Sequence, residues 1–243
     1  MPVPSETLTL PVRGFRIDPR KALVCAFLCW AGAGLVAWAV HAGHVGPFDR
    51  MGLLFWRDDT LQPRGSPGRL ETVRDVTALG GVLLRNLFGA GAVVALLFLR
   101  LRREAALLAL TVMSGWAVNS ALKGLIGRAR PDIVPHLMEA HGNSFPSGHS
   151  FNSAVVYIAM ALAFAALSPR RSVRWTIVAT AMATTLAIGW SRIWLGVHWP
   201  TDVIAGWLGG AGWAFLASAL LYRPAKATVD AAEAFSEDSP GQA

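Results

Sequence analysis

Two histidines, an aspartate and three cations have the residue types and spacing that suit chemistry. His198 lies four residues before Asp202, between two apolar runs, and Pro200 suits the first turn of the helix that would follow. At this spacing the Asp202 carboxylate can reach the imidazole and select its tautomer, which leaves the other ring nitrogen free as a nucleophile. A capping aspartate beside an interfacial histidine is the alternative interpretation.

The three cations fall on two segments. Lys123 and Arg130 are seven residues apart at the end of an apolar run, so a helix would carry them on one face, and Pro131 would then end that helix. Arg192 follows Ser191 and lies six residues before His198. Lysine and arginine neutralise phosphate oxygens, arginine in a bidentate manner. Cations that contact lipid headgroups are the alternative.

A turn with the second histidine opens another apolar run. Pro146 and Gly148 indicate a tight turn, and Ser147 can cap the helix that follows. The backbone N–H groups at such a helix start form an anion site, and His149 lies in the first turn. Cations, a nucleophile and an acid are together what phosphoryl transfer needs. A helix cap with an incidental histidine is the alternative.

The composition indicates a membrane protein. Of the 243 residues, 53% are hydrophobic and 15% are charged, and the mean hydropathy is +0.44, so there are too few charges to cover a water-facing surface. The same values exclude disorder for most of the chain. The net charge of +7 comes mostly from arginines that punctuate apolar runs, which is a membrane pattern, so no nucleic-acid partner is expected.

The apolar runs predict an all-α bundle of six transmembrane helices. They cover about residues 22–42, 77–99, 104–124, 149–168, 174–191 and 202–222. Residues 41–75 mix aromatic residues with charges, which favours a short helix in the membrane interface between helices 1 and 2. Residues 1–226 would form one membrane domain, and the polar residues 227–243 a flexible tail. Close helix packing is indicated by small residues four apart, at Gly206, Gly210 and Ala214.

Basic residues in the short loops favour one orientation in the membrane. They cluster at the N-terminus, in the second and fourth loops and near the C-terminus: Arg13, Arg16, Arg20, Lys21, Arg100, Arg102, Arg103, Arg170, Arg171, Arg174, Arg223 and Lys226. Both termini would then be cytoplasmic, and the three motifs would face the outside. The loop before the second run also carries five arginines, so the bias is not uniform.

Other ionisable residues receive weaker interpretations. His136, Glu139 and His141 are the nearest approach to a metal-ligand set, and a polar loop surface is the favoured interpretation, so neither a metal nor a cofactor is expected. Arg85 lies inside the second apolar run, where it either reaches the headgroups or points into the bundle.

The three motifs resemble the signature of the type 2 phosphatidic acid phosphatase superfamily, which is Lys-x6-Arg-Pro, Pro-Ser-Gly-His and Ser-Arg-x5-His-x3-Asp. This sequence matches every position, with Lys123, Arg130 and Pro131, then Pro146, Ser147, Gly148 and His149, then Ser191, Arg192, His198 and Asp202. The match spans a third of the chain, and its fixed internal spacing makes it highly specific. Six spans around it agree with the membrane branch of the family.

The resemblance implies a role for each matched residue. His198 would be the nucleophile that forms a phosphohistidine, Asp202 would orient it, and His149 would be the acid for the leaving group and would later help to activate water. The phosphate would be held by Lys123, Arg130, Ser147, the Gly148 backbone, Ser191 and Arg192.

The implied activity is hydrolysis of a lipid phosphate or diphosphate by an enzyme of the bacterial inner membrane. Undecaprenyl pyrophosphate, phosphatidylglycerol phosphate and phosphatidic acid are the candidate substrates, and the motifs do not choose between them. Recycling of the undecaprenyl carrier leads, followed by general phospholipid dephosphorylation. Two other functions stay open: a phosphotransferase with a lipid or sugar hydroxyl in place of water, and a lipid-binding or transport protein without turnover. The oligomeric state is not predicted.

Overall fold

The computed structural model describes residues 18–65 and 68–237, and the regular elements of this part of the chain are helices. In chain order they are α1 (Pro19–His41), α2 (Gly46–Leu54), α3 (Gly68–Ala78), α4 (Val82–Phe98), α5 (Arg102–Ile126), α6 (Gly148–Ala165), α7 (Arg171–Trp194) and α8 (Pro200–Glu237). An isolated bridge of β type joins Arg57 to Pro63. The all-α class predicted from the sequence is confirmed for these residues.

Several helices are suited to cross a membrane. Helices α1, α5 and α6 are each long and apolar enough, and α3 with α4 forms a further candidate that bends by 44°. The outward faces of α1 and α4 carry large apolar side chains, such as Phe27 (71% exposed) and Leu83 (78% exposed), as surfaces in contact with lipid do. The chain is therefore an integral membrane protein. Helices α7 and α8 cover the fifth and sixth predicted spans, and the count of six stays a prediction.

Two sequence predictions concern the segment between the first two spans and the C-terminal tail. Helices α2 and α3 occupy the segment between the first two predicted spans, and a position in the membrane interface stays a prediction for them. Helix α8 continues to Glu237, so the division into a domain and a tail near residue 226 also stays a prediction. The basic residues Arg13 and Arg16 and the end of the tail lie outside the described residues.

Local signals place the ends of the helices that carry the motifs. Helix α5 ends where Gly127 adopts a left-handed φ of 62°, a conformation that costs glycine little. Ser147 caps α6, because its Oγ accepts a hydrogen bond from the Ser150 N–H at 3.4 Å. Pro200 begins α8, where its missing N–H costs no hydrogen bond.

Helix α6 lies in the middle of the bundle. It packs against α4, α5, α7 and α8, and α1 packs against α8. The contact between α6 and α8 uses small residues such as Ala154 and Ala211. Gly210 makes this contact close, because a Cβ at that position would overlap the carbonyl oxygen of Phe151. This packing brings the end of α5, the start of α6, the end of α7 and the start of α8 together at one end of the bundle.

Candidate active site

The two ring nitrogens of His198 have different surroundings. Nδ1 lies 3.2 Å from the Ser144 Oγ and 3.4 Å from the Asp202 Oδ2, and the Ser144 hydroxyl donates a short hydrogen bond to that same carboxylate oxygen. Nε2 lies 3.2 Å from Nη1 of Arg130. With its proton on Nδ1, the imidazole donates towards Ser144 and Asp202, and Nε2 keeps a lone pair that accepts from Arg130. The structure thus brings His198 and Asp202 together as their spacing predicted.

Asp202 is fully buried, and both of its oxygens accept hydrogen bonds. Oδ2 accepts from the backbone N–H of Trp199 at 2.9 Å, and Oδ1 accepts from Nη1 of Arg128 at 2.7 Å. Arg128 also donates from Nη2 to the Asp49 Oδ2 at 2.6 Å, and Asp49 accepts from the backbone N–H of Thr201 at 3.0 Å. A chain of charges, with both carboxylates buried and Arg128 partly buried, therefore connects the short helix α2 to the carboxylate beside His198.

The protonation state of His198 follows from its burial. The residue is 2% exposed. Burial lowers the pKa of His198 to about 4, and the charges of Arg192 and Arg130 lower it as well, whereas the hydrogen bond and charge of Asp202 raise it. The imidazole is therefore neutral near pH 7, which is the form with a free lone pair.

Arg130 is held in place by the backbone around it. Its Nε donates to the Gly142 carbonyl oxygen at 3.1 Å, its Nη2 to that of His141 at 2.8 Å, and its Nη1 to that of Val197 at 2.8 Å. These bonds fix the guanidinium plane beside Nε2 of His198. A phosphoryl group next to that nitrogen would therefore meet a cation whose position is already set.

The other two predicted cations have donors to spare. Lys123 Nζ donates to the Asn143 carbonyl oxygen at 2.7 Å, which uses one of its three N–H groups. Arg192 is 2% exposed and donates from Nη1 to the Thr77 Oγ1 at 3.0 Å and to the Met138 sulfur at 2.7 Å. Its Nε is buried and has no acceptor within the described residues. Because an unpaired buried donor is costly, an anion bound here would stabilise the site.

The Pro-Ser-Gly-His turn at the start of α6 is hydrogen-bonded to α8. The backbone N–H of Ser147 donates to the carbonyl oxygen of Asp202 at 3.0 Å. The next residue, Gly148, lies against Lys123, since a Cβ there would be 3.5 Å from the lysine Cε. The start of α6, with its outward N–H groups, is thereby placed beside the aspartate and one of the cations.

His149 lies at the start of a helix, whereas Ser191 is bonded within its own helix. His149 lies in the first turn of α6, two residues after the Ser147 N–H that donates to the Asp202 carbonyl oxygen, so both predicted histidines lie at the same end of the bundle. Ser191 is buried in α7, and its Oγ donates to the carbonyl oxygen of Ile188 at 2.6 Å. The Ser191 hydroxyl is thus engaged with its own helix in this structure.

The residues with weaker interpretations lie around this site. The His136 Nε2 is 2.6 Å from the carbonyl oxygen of Pro131 in the loop. In the ranges that the structure covers, no group of three or more histidine, cysteine, aspartate or glutamate side chains could hold a metal ion. Arg85 is 5% exposed and donates from Nη1 to the Gly80 carbonyl oxygen at 3.1 Å, so it points into the bundle.

Three residues of the site were not among those predicted: Ser144, Arg128 and Asp49. The first two lie within a few residues of predicted motifs, and their hydrogen-bonding side chains were a signal that could have drawn attention to them. Asp49 precedes the first motif by more than seventy residues and has no local pattern around it. Only the packing of α2 against α8 brings it to Thr201 and Arg128.

The chain is similar to known proteins of one family. The sequence profile described as the PAP2 superfamily matches residues 104–225. The chain is 38% identical over 120 residues to a lipid A 1-phosphatase of Rhizobium etli, covering 46% of this chain and 47% of that protein. It is 35% identical over 141 residues to phosphatidylglycerophosphatase B of Bacillus subtilis, covering 56% and 67%. The match therefore spans about half the length of the first relative and two thirds of the second.

The fold is shared with a solved structure over a longer range. The crystal structure of a transmembrane PAP2-type phosphatidylglycerolphosphate phosphatase from Bacillus subtilis superimposes with a TM-score of 0.71 at 27% identity, covering 86% of this chain and 97% of that one. The family profile covers half of this chain and contains its three motifs. On this evidence the chain belongs to the PAP2 superfamily.

Proposed function

We propose that this protein is a membrane phosphatase that hydrolyses a lipid phosphate or diphosphate through a phosphohistidine on His198. The observation that carries the proposal is the asymmetric environment of that imidazole. Its Nδ1 is directed to Asp202 and Ser144, and its Nε2 carries a lone pair beside the guanidinium of Arg130. A cation of this kind would hold the phosphoryl group on which the lone pair acts.

In the first step Nε2 of His198 attacks phosphorus, a P–N bond forms, and the P–O bond to the lipid breaks. The lipid oxygen leaves with the electron pair and takes a proton from His149, whose place in the first turn of α6 lies beside the cations. Asp202 stabilises the positive charge that develops on the imidazole, since its Oδ2 is 3.4 Å from Nδ1.

In the second step water attacks the phosphohistidine. His149, now neutral, accepts a proton from the water, the P–N bond breaks, and inorganic phosphate leaves with His198 restored. Throughout both steps the negative charge of the phosphoryl oxygens is neutralised by Lys123, Arg130 and Arg192, with the N–H groups at Gly148. The unpaired Nε of Arg192 is a donor that such an anion would satisfy.

The substrate class follows from the surroundings of the site. The reacting end of the bundle adjoins helices with lipid-facing surfaces, so a substrate anchored in the bilayer reaches the site by diffusion within the membrane. Relatives named for lipid A and for phosphatidylglycerophosphate support a phosphorylated membrane lipid as the substrate. Undecaprenyl pyrophosphate and glycerophospholipid monophosphates are the leading candidates, in that order.

The proposed location is the inner membrane of a bacterium, with both termini in the cytoplasm and the site facing outwards. The basic starts of α1, α5 and α7 support this orientation, because they lie at the end of the bundle opposite to His198 and basic loops favour the cytoplasmic side. The product lipid would then be released into the outer leaflet.

The test is phosphate release by the full chain purified in detergent with EDTA. Undecaprenyl pyrophosphate, phosphatidylglycerol phosphate and phosphatidic acid are compared side by side. We expect release from at least one of them, complete loss in His198→Ala, and about a 10²–10⁴-fold slower release in His149→Ala. The matched control is His44→Ala, which removes an exposed histidine whose ring lies against Trp38. Release that survives His198→Ala, or that requires a metal, would refute the mechanism.

Two other functions make different predictions in the same assay. A phosphotransferase would form the phosphohistidine but would release little phosphate unless a hydroxyl acceptor were added. A lipid-binding protein without turnover would bind the phosphorylated lipid equally well in His198→Ala and would never acquire label from a ³²P-labelled substrate. Detection of label on His198 in a quenched reaction therefore separates the enzymes from the carrier.

A further inference from the structure

A second cavity lies at the end of the bundle opposite to His198. It has a volume of about 560 Å³, within the range of small-ligand sites, and it lies between the start of α1, the end of α6, the start of α7 and the middle of α8. On α6 the cavity wall begins at Ile158, nine residues or about 14 Å along the helix from His149, and it extends to Ala165, about 24 Å from His149. This cavity is therefore separate from the candidate active site.

The rim of the cavity is basic. Lys21 and Arg171 both line it with exposed side chains, and within the described part of the chain neither takes part in a hydrogen bond or ion pair. Asp18 is the acid on the rim, and its Oδ1 accepts a hydrogen bond from the backbone N–H of Arg20 at 2.9 Å. The cations thus outnumber the acid, and the rim attracts an anion.

The walls of the cavity are apolar. Ala161, Ala165 and Ala181 are buried there, and their small side chains leave between α6 and α7 the space that larger residues would fill. Larger apolar residues, among them Leu162, Met182 and Phe215, form other parts of the wall. A chain of methylene groups fits such a surface, whereas free phosphate or another small soluble anion would leave it uncovered.

The opening of the cavity carries a residue type that is typical of the depth of lipid headgroups. Trp175 lines it near the start of α7 and is 61% exposed, and tryptophan is enriched at membrane–water interfaces. Lys21 lies in the first turn of α1, which is long and apolar enough to span the membrane. A cationic rim at the interface above apolar walls has the two-part chemistry of a phospholipid site.

We propose that this cavity binds one anionic phospholipid of the bilayer. Its phosphate lies between Lys21 and Arg171, and one acyl chain extends along α6 and α7 past Ala181. The lipid fills the space that α1 and α7 leave open and so joins helices that have little direct contact there. This lipid is not a substrate, because its phosphate is held about 24 Å from the His198 end of the bundle.

The test is photolabelling of the full chain in nanodiscs that contain a phosphatidylglycerol probe with a diazirine in its acyl chain. We expect adducts that peptide mapping places on the cavity walls of α6 and α7. A phosphatidylcholine probe of the same chain should label these walls about tenfold less. Lys21→Gln combined with Arg171→Gln should lower phosphatidylglycerol labelling about tenfold, since each cation near a membrane surface contributes to the attraction of an anionic headgroup.

Two further variants keep the result interpretable. Arg102→Gln combined with Arg103→Gln removes two exposed cations from the start of α5, at the same end of the bundle but outside the cavity, and should leave labelling unchanged. Ala181→Phe fills the apolar part without altering the rim charge and should also suppress labelling. Equal labelling by the two probes, or loss in the α5 variant alone, would overturn the proposal. Absence of wall adducts in the unaltered chain would also overturn it, because the cavity would then be filled by a protein segment or a second copy.

Discussion

At the level of single residues, histidines of similar intrinsic chemistry are made different by their surroundings. His136 lies in the loop, where its Nε2 is 2.6 Å from a backbone carbonyl oxygen, so this nitrogen is engaged. His198 is buried, with Nδ1 directed to a carboxylate and Nε2 directed to a guanidinium. Only the second arrangement leaves a lone pair beside a cation. The proposed nucleophile is thus distinguished by its partners.

The burial of His198 predicts that its imidazole titrates at a lower pH than an exposed histidine. Its pKa of about 4 lies below the ordinary value of 6.5, so the folded imidazole stays neutral between these two pH values while the unfolded one binds a proton. The contribution of His198 to the free energy of unfolding should therefore fall as the pH is lowered from 6.5 to 4. An NMR titration of labelled histidine should show a midpoint near 4 in the phosphate-free protein.

Asp202 provides the control for that titration. Because its hydrogen bond and charge raise the pKa of His198, Asp202→Asn should move the midpoint lower still. A midpoint near 6.5 in the unaltered protein would contradict the buried neutral imidazole.

At the level of elements, two contacts keep the helix ends in register. Arg128 follows α5 and joins Asp49 of α2 to Asp202 of α8 by hydrogen bonds of 2.6 and 2.7 Å. Gly210 of α8 allows the backbone of α6 to approach at Phe151. The first contact orients the carboxylate of the site, and the second sets the distance between the helices that carry His149 and Asp202.

We expect Asp49→Ala to lower both stability and turnover. It leaves the partly buried guanidinium of Arg128 with one carboxylate fewer, and the loss of a charged hydrogen-bond partner typically costs about 1–3 kcal/mol. The kcat should fall about tenfold with little change in KM, because Asp49 touches Arg128 and Thr201 and acts on the reaction through Asp202. Asp59→Ala removes an exposed acid just after α2 and should be neutral in both measurements. An unchanged kcat in Asp49→Ala would show that Arg128 orients Asp202 without α2.

We expect Gly210→Ala to destabilise the bundle. The added methyl group would overlap the carbonyl oxygen of Phe151, so α6 and α8 must separate, and overpacking of this kind typically costs about 1–3 kcal/mol. Gly34→Ala in α1 is the matched control, since a Cβ there meets no atom within 4 Å and alanine is the better helix former. Thermal unfolding in detergent should show a lower midpoint for Gly210→Ala than for the unaltered chain. The midpoint of Gly34→Ala should not be lowered. Equal midpoints would mean that the helices absorb the methyl group.

For the whole molecule, the two ends of the helix bundle carry different residues and cavities. One end holds the motifs, and the other holds the basic helix starts and the second cavity. This polarity supports a single orientation in the membrane, with the motif end outside. The predicted orientation matters for function, because it decides which leaflet supplies the substrate.

Thiol labelling of intact cells tests the orientation. Asp132→Cys is exposed at the motif end, and Ser172→Cys is exposed at the opposite end. A membrane-impermeant maleimide added outside should label the first variant directly and the second only after the membrane is permeabilised. The unaltered chain, with Cys25 and Cys29 in α1, gives the background. The reverse pattern would invert the orientation.

The amino-acid sequence was sufficient to predict the helical class, the membrane character and the residues of the three motifs. These features are local: apolar run length predicts a helix in lipid, and the four-residue spacing of His198 and Asp202 puts the two side chains within reach of each other at the start of one helix. The family resemblance rests on the same short segments, and the comparisons bear it out.

Other features depend on contacts between residues that are far apart in the chain, so no local pattern predicts them. Asp49 reaches Arg128, 79 residues later in the chain, only because α2 packs beside α8. The second cavity exists because small residues of α6 and α7 face the same space. Long-range packing, and not the type of any one residue, decides these features.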